Sequence, residues 1–165
     1  MFNTRVAVAA AAVALALVGA TASTGQAAAS GHRQLSQNVR FYNAAVDGNL
    51  DGNANGTYPI TYPSNGSPVQ TWTLTPTGQG SFLIANVYKT LCLQAPAKAG
   101  DPIALLRCNS TNPAQWWNLD ESDNKVVITE YLDGDYAIQS NGNYTTVLKA
   151  FSDHNELQEW DVLPA

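Results

Sequence analysis

Histidine and cysteine are nearly absent, two of each in 165 residues, and this scarcity leaves little room for histidine- or thiolate-based catalysis or for His/Cys metal centres. His32 and His154 stand in no nucleophile motif and at no metal-ligand spacing. No catalytic residue and no cofactor is therefore expected. Positive charge is also short: eight Lys and Arg face 13 Asp and Glu, giving a net charge of −5. No Lys/Arg cluster occurs. Nucleic acids and anionic membranes are held through basic patches, so neither is an expected partner. Past residue 18 there is no apolar run long enough to enter a bilayer, and no segment shows a helical period.

The long apolar run that does exist stands at the start. Arg5 precedes residues 6–18, which are all Val, Ala and Leu, and small residues follow as far as Gln26-Ala27-Ala28-Ala29-Ser30. Thirteen residues are too few for a membrane span, which needs about 20. A basic n-region, an apolar stretch and an A-x-A site are the pattern of a secretory signal peptide. Residues 1–29 are expected to be cleaved after Ala29, with Ala22 as the alternative site, and the protein is expected to be extracellular. Cleavage removes Arg5 and no acidic residue, so the exported chain is the more acidic. In an oxidising compartment Cys92 and Cys108 are expected to form a disulfide rather than two buried thiols.

The strongest signal is a threefold one. Gln70-Thr71-Trp72, Gln115-Trp116-Trp117 and Gln158-Glu159-Trp160 are Q-x-W triplets spaced by 45 and 43 residues. Counting back seven residues from each Gln reaches Pro63, Cys108 and Phe151, each after a short apolar run. Farther upstream Leu91-Cys92-Leu93-Gln94 matches Tyr136-Ala137-Ile138-Gln139, and Arg40-Phe41-Tyr42-Asn43 is the weaker counterpart in the first repeat. Between these runs lie turn sequences: Ser64-Asn65-Gly66, Pro76-Thr77-Gly78, Asp133-Gly134 and Asn141-Gly142. Each repeat reads as four short strands, and three such units make an all-β closed form.

This pattern resembles the ricin B-type lectin family over roughly residues 36 to 163. The resemblance implies a β-trefoil of three four-stranded repeats, at about 38–76, 77–121 and 122–165. It places Gln70, Trp72, Gln115, Trp117, Gln158 and Trp160 in the structural core. It also implies one shallow sugar pocket per repeat, built from an Asp after the Cys-Leu pair, an aromatic ring two residues before the second Cys, and a polar residue before the Gln. Here the Asp positions hold Asn43, Gln94 and Gln139. The ring positions hold Thr61, Leu106 and Lys149, with Tyr58 or Tyr62 as another platform in the first repeat. The last position holds Val69, Ala114 and Leu157. On this alignment the framework survives while sugar contacts are replaced in every repeat, leaving Asn43, Tyr62, Gln94, Gln139 and Lys149 as degenerate candidates.

Two further segments compete with plainer readings. Asp47, Asn49, Asp51 and Asn53 alternate like the first half of a calcium loop, but the twelfth position is Tyr58 rather than Glu, and a Gly/Asn-rich loop is the plainer account. Residues 30–37, with His32 and Arg33, are either a polar tail or an arm that docks on a partner. Asn55, Asn109 and Asn143 open glycosylation sequons and are read as turn residues. The expected function is a secreted, non-catalytic binding module: an adaptor subunit of a secreted complex, such as a toxin or enzyme complex, with a glycan-binding lectin or an extracellular protease inhibitor as alternatives. The partner is another secreted protein or a glycan.

Overall fold

Short β-rich runs separated by Gly, Pro and Asn turns cannot bury an apolar face singly, and the chain resolves this by closing them into a barrel. The structure, a computed structural model, describes residues 37–122, 124–142 and 145–165. The expected leader (1–29), His32, Arg33, Asn143 and Tyr144 lie outside the described residues.

Among the described residues, twelve strands fall four to a repeat. The first repeat holds β1 (Gln37–Asn43), β2 (Gly48–Asp51), β3 (Ile60–Tyr62) and β4 (Trp72–Pro76). The second holds β5 (Phe82–Asn86), β6 (Leu91–Gln94), β7 (Ala104–Arg107) and β8 (Trp116–Ser122). The third holds β9 (Lys125–Glu130), β10 (Tyr136–Ser140), β11 (Thr146–Ala150) and β12 (Glu159–Pro164). Strands β1, β4, β5, β8, β9 and β12 pair in that order, and β12 returns to β1 to close the ring. The hairpins β2–β3, β6–β7 and β10–β11 attach to it through β1, β5 and β9. The chain is thus an all-β β-trefoil. One boundary needs correcting: Gln37, assigned to the polar arm, pairs with Leu74 at the start of β1.

The core is threefold. Trp72, Trp117 and Trp160 are fully buried, as are Phe41, Ile84 and Ile128 on the barrel strands and Leu50, Leu93 and Ile138 on the hairpins. Each indole N–H donates to a hairpin carbonyl: Trp72 to Leu50 at 2.8 Å, Trp117 to Leu93 at 3.1 Å and Trp160 to Ile138 at 3.2 Å. A large ring and its one polar atom are both accommodated, which is the requirement for burying tryptophan.

The Gln of each triplet clamps the loop before it. Its amide donates to a strand-end carbonyl, Pro63 at 3.0 Å, Arg107 at 3.1 Å or Ala150 at 2.8 Å. Its carbonyl accepts from the amide of Asn65, Asn109 or Ser152. A tight turn follows in each loop, capped by the side chain of Ser67, Asn112 or Asn155. Pro68 and Pro113 open two of these turns, where a missing N–H costs nothing. Cys92 and Cys108 form a disulfide, S–S 2.03 Å, which pins β6 to the end of β7.

Candidate functional site

Three outward faces are set by hairpin register. In β2–β3, Asn49 faces Tyr62 and Asp51 faces Ile60 across the ladder, while Leu50 and its partner Thr61 are buried. Cross-strand partners share a face, so Asn49, Asp51, Ile60 and Tyr62 lie together on the side opposite Leu50 and Thr61, where Asn49 and Asp51 are themselves buried and Tyr62 is exposed. The same rule groups Cys92, Gln94, Ala104 and Leu106 on β6–β7, and Ala137, Gln139, Val147 and Lys149 on β10–β11.

This register corrects the alignment of the first repeat. Leu50 receives the indole of Trp72 as Leu93 and Ile138 receive theirs, so the residue after it, Asp51, is the counterpart of Gln94 and Gln139. Asn43 is not. It is fully buried at the end of β1, the place that Asn86 and Glu130 hold in the other repeats, and its amide donates to Glu156 and Glu159 carbonyls at 2.9 Å. The ring position moves by one residue in the same way, from Thr61 to Tyr62. Tyr62 is 41% exposed, whereas Thr61 is buried. Carboxylate and ring are therefore lost in the second and third repeats but not in the first. Spacing carried the signal: Asp51 precedes Gln70 by 19 residues, as Gln139 precedes Gln158, while Asn43 precedes it by 27.

The faces differ chemically. The carbonyl of Gln94 accepts from Gln115 and Asn112, both at 3.1 Å. That of Gln139 accepts from Gln158 at 3.2 Å and Asn155 at 3.3 Å, and its amide donates to Asn141. Both side chains serve the framework. At their ring positions Leu106 and Lys149 are exposed. In the first repeat Asn49 takes over the bond to Gln70, at 3.2 Å. Asp51 instead receives the amide of Asn53 at 2.6 Å. Asn49 Oδ1, buried beside it, has no hydrogen-bond partner among the described residues.

The calcium-loop pattern does not form a loop. Asn49 and Asp51 belong to β2, and Asp47 sits in the turn before it, accepting from the Tyr42 hydroxyl at 2.8 Å. Same-face residues of a strand stand about 7 Å apart, so these groups cannot wrap one ion. Trp116, the middle residue of the second triplet, packs edge-on against Tyr131 with ring centroids 5.1 Å apart. A cavity of about 210 Å³ opens elsewhere, lined by Asp120, Glu121, Val127, Thr129, Phe151 and Asp153 among others.

Residues 33–160 match the model of a family described as the ricin-type β-trefoil lectin domain. No curated protein matches the chain. Among solved structures, the designed threefold-symmetric protein ThreeFoil is 16% identical, with a TM-score of 0.69, covering 78% of this chain and 99% of that one. The ricin B-like lectin of Macrolepiota procera, in complex with lactose, is 14% identical with a TM-score of 0.66, covering 78% and 96%. The Haemophilus ducreyi cytolethal distending toxin is 17% identical with a TM-score of 0.65, covering 78% and 83%. At these identities the likeness is one of fold.

Proposed function

The chain belongs to the ricin-type β-trefoil lectin domain family, and on that footing we propose that it is an exported, non-catalytic carbohydrate-binding module with its working site in the first repeat. The observation that carries this is the register placing Asp51 and Tyr62 on one face of β2–β3. A carboxylate accepts sugar hydroxyls through charge-assisted bonds. An exposed phenol ring offers a platform for the apolar face of the sugar. The disulfide fits an oxidising compartment. Among the described residues no helix is long and apolar enough to cross a membrane.

A single shallow site is expected to bind in the millimolar range, about −4 kcal/mol. The test is a titration with lactose and galactose, followed by a glycan panel. Asp51→Asn and Tyr62→Ala should each abolish binding, and Gln139→Ala should leave it unchanged. Absence of binding across the panel, or binding indifferent to Asp51 and Tyr62, would overturn the reading.

The second reading, an adaptor subunit that binds a secreted protein, draws on the other two repeats. Their Gln94 and Gln139 are committed internally, and Leu106, 45% exposed, presents an apolar side chain where a sugar ring would stack. Under that reading Leu106→Asp disrupts partner capture from culture supernatant while Asp51→Asn does not.

A further inference from the structure

The first-repeat face is completed by a side chain from the second repeat. Lys89, in the turn joining β5 to β6, donates from its ammonium to the carbonyl of Asn53 at 3.0 Å and to that of Gly56. Asn53 is also the residue whose amide N–H donates to Asp51. This one peptide segment is thus gripped on its carbonyl by Lys89 and on its N–H by the carboxylate. Its φ of +49° is left-handed, a conformation that a non-glycine residue keeps only where its surroundings fix it.

Pseudo-symmetry supplies an internal control. The residue three places after Asn43, Asn86 and Glu130 is Val46, Lys89 and Asp133 respectively. Val46 lies next to Gly142, in the loop that follows Gln139, as Lys89 lies next to the loop that follows Asp51. Neither Val46 nor Asp133 has a side-chain donor. The ammonium therefore reaches the one hairpin that ends in a carboxylate, and the two hairpins that end in neutral glutamine have no such donor at the equivalent position. Asp51 is only 4% exposed, and a carboxylate so far from solvent needs a compensating charge or donors. A neutral glutamine needs no compensating charge, and Gln94 and Gln139 are satisfied by amide donors alone.

We propose that Lys89 is a positioning residue of the first-repeat site, holding the Asp51 carboxylate in place through Asn53. The proposal rests on the glycan reading above. The test uses the full chain, uniformly labelled with ¹⁵N, and three forms: wild type, Lys89→Met, which keeps the stem without the donors, and Lys89→Arg. An amide bonded to a carboxylate follows its titration, so in the wild type the Asn53 amide shift should track the protonation of Asp51. In Lys89→Met that tracking should disappear and lactose affinity should fall about tenfold or more, the scale of a lost charge-assisted bond. The melting temperature of the barrel should hold, and Lys89→Arg should restore both readouts. If Lys89→Met binds lactose as the wild type does, or Asn53 still tracks Asp51, the role of Lys89 is refuted and the glycan reading stands. If the wild type binds no saccharide, the glycan reading falls, and this proposal with it.

Discussion

Gly52 lies beneath the carboxamide of Asn86: a methyl group on its Cα would stand 2.5 Å from Nδ2 and 2.6 Å from Cγ. The amide has no room to retreat, because Nδ2 holds the Val69 carbonyl at 2.8 Å and Oδ1 receives the Lys89 amide at 3.1 Å. Gly52→Ala must displace one of these bonds or the strand end. The expected cost is about 1–3 kcal/mol, the range for overpacking, read from urea unfolding. A neutral result would show that Asn86 can turn aside.

The three buried tryptophans should be energetically equivalent. Each Trp→Ala substitution at Trp72, Trp117 or Trp160 is expected to cost about 3–5 kcal/mol, because it empties the core and strips a buried carbonyl of its donor. Chemical denaturation of the three variants should give similar losses. A single site well below the others would show that the core is not shared equally among the repeats.

Cys92 and Cys108 close a loop of sequence separation 16. In the chain-entropy account such a crosslink contributes about 3 kcal/mol. Replacing both cysteines by alanine should lower stability by about that amount, and thiol titration of unreduced protein should find no free sulfhydryl. An unchanged melting temperature in the double variant would contradict the entropic account.

The Tyr42 hydroxyl is held above its ordinary titration range first by its hydrogen bond to Asp47, then by burial and by the negative charges of Asp47 and Asp161. A raised value in the folded state means that the unfolded chain releases this proton first. The contribution is fully present at neutral pH and declines as pH climbs from about 10 through the folded value. Absorbance at 295 nm should reveal one tyrosine ionising late, and Asp47→Asn should move it back. A set of tyrosines titrating together, unaffected by the substitution, would refute this.

Much of the fold is legible in the sequence because the Q-x-W triplets report their own mechanics. Trp must be buried and its Gln must clamp a loop, so both recur in register. The first repeat resists reading for two physical reasons. Its β2 is Gly48-Asn49-Leu50-Asp51, a composition that reads as a turn, and only Leu50 beneath Trp72 makes it a strand. Its loop is also one residue shorter, Asn65 to Gln70 spanning five positions where Asn109 to Gln115 spans six. Counting back from the triplet therefore lands on Thr61 instead of Tyr62. The contact of Lys89 with Asn53 joins residues 36 apart across two repeats, and no local pattern announces it.

The pairing of β1 with β12, from Val39 opposite Pro164 to Tyr42 opposite Asp161, has a kinetic consequence. The barrel wall stays open until β12 is laid between β1 and β9, so its last seam joins strands separated by the whole repeat array. Contacts of such long separation are reached slowly, on the scale of about milliseconds to seconds for all-β domains. Throughout that interval β1 and β9 present unpaired edges, which invite pairing with other chains. A trefoil assembled except for its twelfth strand would leave both of these edges open, and such a form is the expected starting point for aggregation. Substitutions that loosen β12 should lower soluble yield before they lower the stability of the molecules that do fold.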